Sequence, residues 1–194
     1  MDADKILSLT IMVEDWAVYD NRFELFEDID PFAIYFHPSS LRLGEKKKYL
    51  RHQDKAKYQM QGEIIYKSDG AWVVDCGIKL YSLNKLDSSY KVGDFVSSDV
   101  ELWFDPLFDV YDLGNKEGFP KIVYYWSFEE IYQVIMHMEE VSENSYKITD
   151  KCLKVIKLNS ESDYEWVGSE SKYNSHYEVH CLLKELEPIS GIEY

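Results

Sequence analysis

The stretch from residue 59 to residue 104 limits the fold more than any other part of the chain. Residues 59–67 and 71–82 are two runs rich in β-forming residues, joined by Ser68-Asp69-Gly70. An Asp-Gly pair between such runs is a reversal signal, with the glycine supplying the positive φ that a tight turn needs. A polar loop through Asn84, Ser88 and Ser89 leads to Tyr90-Lys91-Val92-Gly93-Asp94-Phe95-Val96, and then to Val100-Glu101-Leu102-Trp103-Phe104. The centre of the chain therefore reads as a meander of three strands.

Outside this centre, residues 6–13, 31–37, 122–126, about 146–158 and about 176–186 have the same character and are expected as strands. Two segments suggest helix. Residues 15–30 set Trp16, Tyr19, Phe23 and Phe26 at about helical spacing among acids, and Ser127-Phe128-Glu129-Glu130 resembles a capping box. The latter would open a helix through Met138 with Ile131, Val134, Ile135 and Met138 on one face, although Ile131-Tyr132-Gln133-Val134-Ile135 suits a strand equally well. No repeat, low-complexity tract or long linker divides the 194 residues, so residues 1–194 are read as one domain.

The chain is acidic and also rich in apolar residues. Thirty-six acidic side chains against 21 basic ones give a formal charge of −15, while 45% of residues are apolar and 15% aromatic, including 16 Tyr. That much apolar surface specifies a core, unlike a disordered acidic tail. The sign of the charge repels nucleic acid and anionic membranes and attracts cationic partners. Residues 1–44 carry −6, 45–67 carry +4, 68–150 carry −10 and 151–194 carry −3. The one basic segment, with Lys46, Lys47, Lys48, Arg51, His52, Lys55 and Lys57, reads as a solvated connector or short polar helix, with a phosphate-binding patch as the sharper alternative. Residues 1–7 lack a basic region followed by a long apolar one, and no run approaches the roughly 18 apolar residues of a membrane span. Cys76, Cys152 and Cys181 are odd in number, widely spaced and flanked by apolar residues, so they are expected as buried reduced thiols. A cytoplasmic location is expected.

Gly62-Glu63-Ile64-Ile65, Gly70-Ala71-Trp72-Val73-Val74-Asp75-Cys76-Gly77 and Val92-Gly93-Asp94-Phe95-Val96 stand in an order and spacing that resemble the first three strands of OB-fold barrels of the S1 type. The resemblance spans about residues 59–103, under a quarter of the chain. It implies a mainly β (α+β) fold: a small OB-like barrel or sandwich with one or two short helices. Such barrels commonly bind RNA or single-stranded DNA on aromatic platforms beside a basic groove. Trp72, Tyr81 and Trp103 would be the aromatics, yet residues 68–150 offer no Lys or Arg cluster to follow a phosphate backbone. The barrel is carried over and the nucleic-acid function is kept only as an alternative.

Few patterns suggest chemistry. His176-x-x-x-His180-Cys181 could hold a metal, but Tyr177, Val179, Cys181 and Leu183 alternate as an apolar face, which puts both histidines on the solvated one. Asp105, Asp109, Asp112 and Glu117 lack calcium-loop spacing and read as a long exposed acidic loop over 105–120. Glu129-Glu130 and Glu139-Glu140 are adjacent and splay apart. A dispersed site such as His37 with Asp75 or Cys76 is not selected by any motif. No cofactor, metal or catalysis is expected.

What remains is negative charge mixed with aromatic side chains, which suits a protein interface. The residues expected to contact a partner are Asp94, Asp99, Glu101, Asp105, Phe108, Asp109, Tyr111 and Asp112. In size, acidity and single-domain form the chain looks like the immunity proteins of bacterial toxin systems. That implies a non-catalytic inhibitor of a basic toxin domain, with a structural or housekeeping domain as the alternative.

Overall fold

Alternation of apolar and polar side chains turns most of this chain into strands with one face in a core. The computed structural model describes residues 7–19, 30–105, 113–142, 145–160, 163, 173–185 and 187–188. Its elements are β1 (Ser8–Glu14), α1 (Asp15–Tyr19), β2 (Asp30–Pro38), β3 (Arg42–Leu43), β4 (Tyr49–Asp54), β5 (Lys57–Lys67), β6 (Trp72–Asp75), β7 (Lys79–Ser82), β8 (Phe95–Phe104), β9 (Val123–Ser142), β10 (Ser145–Leu158) and β11 (Tyr173–Leu183). Among the described residues no helix is long and apolar enough to cross a membrane.

Eight of the strands close into a mixed barrel. Pairing runs β9–β11–β1–β8–β5–β6–β7–β2 and returns from β2 to β9. The β1–β8 and β2–β7 contacts are parallel and the others in this ring antiparallel. β2 and β8 also pair directly, because each is long enough to change neighbours along its length. β8 meets β5 through residues 95–101 and β2 through residues 100–104. β3, β4 and β10 lie outside the ring, on β8, β5 and β9.

The interior is one continuous apolar cluster. Leu9, Ile11 and Val13 of β1, Phe32, Ile34 and Phe36 of β2, Val96, Val100, Leu102 and Phe104 of β8, and Tyr177, Val179, Cys181 and Leu183 of β11 all point into it. Burying each large side chain contributes roughly 1.5–3 kcal/mol. Where β5 gives way to β1 along the edge of β8, the Leu102 N–H donates to the Ala56 carbonyl at 3.0 Å. The buried Tyr58 hydroxyl of β5 accepts the backbone N–H of Thr10 of β1 at 2.6 Å. Gly62 has another steric task. A Cβ there would lie 2.5 Å from the Asp75 carbonyl oxygen and 2.5 Å from Val74 Cγ1, so only glycine lets β5 lie this close to β6.

Several expectations from sequence change. The central hairpin forms, with Glu63 opposite Asp75 and Lys67 opposite Trp72. Its turn is closed by Ser68, whose hydroxyl bonds Ala71, and Gly70 is not among the glycines at positive φ, so the turn does not need it. Residues 71–82 are two short strands, β6 and β7, that reverse at Gly77 with φ 111°. The basic segment is a connector only over residues 46–48, between β3 and β4, and none of it is helix. The rest is the β4–β5 hairpin, turning at Lys55, whose φ is 50°. The five-stranded OB barrel is replaced by the eight-stranded ring, of which the meander is one part.

Residues 128–138 belong to β9, a strand of 20 residues. The helical spacing has a strand origin. Phe128 and Glu130 pair with Cys181 and His180, so Glu129 is an extra residue that shifts the alternation, and beyond it Val134 and Ile135 are both buried. The helix expected over 15–30 is, in the described residues, the single turn α1, and residues 20–29 lie outside them. Of the loop expected to be exposed over 105–120, residues 115–118 are exposed and 106–112 lie outside the described residues, while its apolar side chains, with Ile122 beyond it, cover the outside of the barrel. Leu113 and Ile122 are buried against Ala33, Val73 and Tyr81, with Phe119 packed beside Tyr66 at 5.0 Å between rings.

Candidate functional site

Side-chain alternation along β8 puts Val100, Leu102 and Phe104 in the core and turns Asp99, Glu101 and Trp103 outward. Register then chooses their neighbours. Glu101 lies between His37 of β2 and Lys57 of β5, and Trp103 lies opposite Tyr35. The result is an open groove of about 500 Å³ on the outer face, lined by β2, β4, β5 and β8 through His37, Gln53, Lys57, Asp99 and Glu101.

Hydrogen bonds and ring contacts hold this face in place. The Tyr35 hydroxyl lies 2.7 Å from His37 Nε2, and the two rings meet edge-on at 4.4 Å. His37 is edge-on to Trp103 at 6.1 Å. Trp103 Nε1–H donates to Glu101 Oε2 at 3.1 Å, and Gln53 Nε2 donates to Asp99 Oδ1 at 3.1 Å. The backbone N–H and hydroxyl of Ser39 both donate to the Asp99 carbonyl, at 2.9 and 3.0 Å. An ionised carboxylate can accept about four hydrogen bonds, so Asp99 and Glu101 keep acceptor capacity directed into the groove.

Of the residues expected from sequence, Asp99 and Glu101 come together here. Asp105 ends β8 and accepts the Tyr81 hydroxyl at 2.5 Å. Asp94 lies at the other end of β8, where its carboxylate accepts the Lys91 N–H at 2.8 Å and closes the turn into the strand. Phe108, Asp109, Tyr111 and Asp112 lie outside the described residues. Tyr35 and Gln53 are not singled out by the sequence, and Lys57 is singled out only as part of the basic segment. Their place in the groove becomes legible once β2 and β5 are known to flank β8.

The remaining candidates are dispersed. Cys76 is buried and Asp75 pairs with Lys48 at 2.8 Å, so neither joins His37. Burial pushes the Cys76 thiol up to about 12 and raises that of Cys181, whereas Cys152, expected to be buried, is exposed on β10. The apolar face of β11 forms as read from sequence, but the face opposite is not open to solvent throughout. The β4–β5 turn lies over it, with Lys55 Nζ 3.1 Å from Glu178 Oε1. Desolvation there, with Lys55 nearby, draws His176 down to about 4. His180 Nδ1 lies 3.6 Å from Glu130 Oε2. Among the described residues no three His, Cys, Asp or Glu side chains are grouped to hold a metal.

The basic segment also changes meaning. Lys55, in the β4–β5 turn, lies beside Glu178 of β11, Lys57 of β5 lies opposite Glu101 of β8, and Lys48 reaches Glu63 as well as Asp75. Comparison with family models, curated proteins and solved structures gives no match.

Proposed function

We propose that this chain is a non-catalytic binding protein that recognises a basic protein through the outer groove of β8. Neutralising a basic toxin domain is the role that this mode of binding serves. The observation that carries the reading is the convergence of Asp99, Glu101, Trp103, His37 and Tyr35 on one outward face. Carboxylates with remaining acceptor capacity favour a guanidinium or ammonium group, and half-exposed rings beside them supply apolar contact and a face for cation–π contact. The overall charge of −15 would steer such a partner from a distance.

The test is capture from native lysate by the full chain and by an Asp99→Asn/Glu101→Gln variant, which removes charge and keeps shape. The reading expects a basic protein held by the parent chain, released by salt, and lost from the variant. Capture of only neutral or acidic proteins would overturn it, and so would undiminished capture by the variant.

A further inference from the structure

Several acids on this sheet are ion-paired with lysines, and those of the β8 groove are not. Lys48 Nζ lies 3.2 Å from Glu63 and 2.8 Å from Asp75, Lys55 Nζ lies 3.1 Å from Glu178, and Lys157 pairs with Glu130. Asp99 and Glu101 are held by neutral donors instead. The Gln53 amide donates to Asp99 Oδ1 and the Trp103 indole to Glu101 Oε2, each at 3.1 Å. One oxygen of each carboxylate is thereby oriented while its charge stays uncompensated. Lys57 lies opposite Glu101 in register and, among the described residues, forms no ion pair with it. Two residues apart on one strand, Asp99 and Glu101 both point outward, with their Cα atoms about 7 Å apart at the usual rise.

We propose that the group this groove takes from its partner is an arginine side chain, whose guanidinium lies between Asp99 and Glu101 and donates to the remaining oxygen of each. The inference rests on the reading of the groove as the binding face and adds which basic residue enters it. A guanidinium carries N–H donors on several edges of a rigid plane, so it can serve two separated carboxylates at once while its flat face lies against a ring. The His37 ring stands in the lining, held edge-on to Tyr35 and Trp103. A lysine ammonium suits the place less well. It is a compact, strongly hydrated charge, and with Lys57 in the lining the groove sets two carboxylates against one ammonium, so attraction by charge alone is weak. Directional donors and ring contact then decide, and arginine supplies both.

The experiment titrates the full chain with the blocked tripeptide Gly-Arg-Gly, its lysine analogue and its citrulline analogue, which keeps the shape of arginine without the charge. Binding is read by NMR at the Trp103 indole N–H, identified among the five indoles by its loss in Trp103→Phe. The arginine peptide should shift that signal saturably, with affinity at least about fivefold above that of the lysine peptide. The preference should vanish in Glu101→Gln, whose otherwise unchanged spectrum reports an intact fold. Equal affinity for arginine and lysine would overturn the choice of arginine and leave the basic-partner reading in place. Equal affinity for arginine and citrulline would overturn both, because charge would then play no part. No shift of the Trp103 indole with any peptide, or a preference that persists in Glu101→Gln, would overturn the arginine site and leave the basic-partner reading to the capture experiment.

Discussion

At Gly62 and Gly70 the same residue type has two different reasons to be present. Both stand in the segments that resemble an OB barrel, and Gly70 reads from sequence as a turn glycine. A methyl at Gly62 would overlap the β6 backbone, while at Gly70 it would meet nothing within 4 Å and no positive φ demands glycine. Gly62→Ala should cost about 1–3 kcal/mol through overpacking, and Gly70→Ala should stay within about 0.5 kcal/mol, both read by urea denaturation. Tyr58 makes a similar point for a polar atom in the core. Burial pushes its hydroxyl up to about 12, opposed in part by the hydrogen bond from Thr10. Tyr58→Phe keeps the ring but orphans a buried N–H, so a loss of about 1–3 kcal/mol is expected in the same assay. These tasks depend on strands distant in sequence, which is why local pattern could not separate one glycine, or one tyrosine, from another.

Among the elements, strands with one buried face were legible and strands with special edges were not. β1, β2, β10 and β11 fall where alternation and β-forming composition put them. Over β9 the sequence leaves helix and strand both open, because a bulge at Glu129 and neighbours on both edges bury residues at helical spacing. The β4–β5 hairpin misled because four of the six residues in β4 are exposed, so no apolar face announces it. Its turn has a measurable role over β11. His176 is held neutral there by desolvation, with Lys55 nearby and Glu14 opposite on β1. Its folded value of about 4 lies below the usual 6.5, so the unfolded chain binds more protons between these limits. Stability should therefore fall as pH drops from about 6.5 to about 4. Asp15, raised mainly by burial and opposed by Ser175 and Tyr177, binds its proton more readily in the folded chain and acts in the other direction. The difference between the parent chain and His176→Gln isolates the histidine. Denaturant midpoints measured across this range should show the parent losing stability relative to the variant toward acid pH, and parallel curves would contradict the assignment.

For the whole molecule, the charge is arranged differently from its order along the chain. Read linearly, a basic stretch precedes a strongly acidic one, but folding lays β5 against β8, so lysines and carboxylates share one face. The candidate groove is therefore a surface of mixed charge, with His37 in its lining and Trp103 and Tyr35 on the adjoining face. Asp99 and Glu101 were legible as acids on a strand, while His37 and Tyr35 became their neighbours only through the β2–β8 pairing across more than 60 residues. The closed barrel was legible as a class and its strand number was not, since ring closure depends on which distant edges meet. The central claim is that the groove of β8 holds a basic protein. Its most direct test is the affinity of the captured partner for the parent chain and for Asp99→Asn/Glu101→Gln, measured by calorimetry at low and high salt. The account predicts affinity at least about tenfold weaker in the variant, with a shallower salt dependence. Equal affinities and equal salt dependence would contradict it.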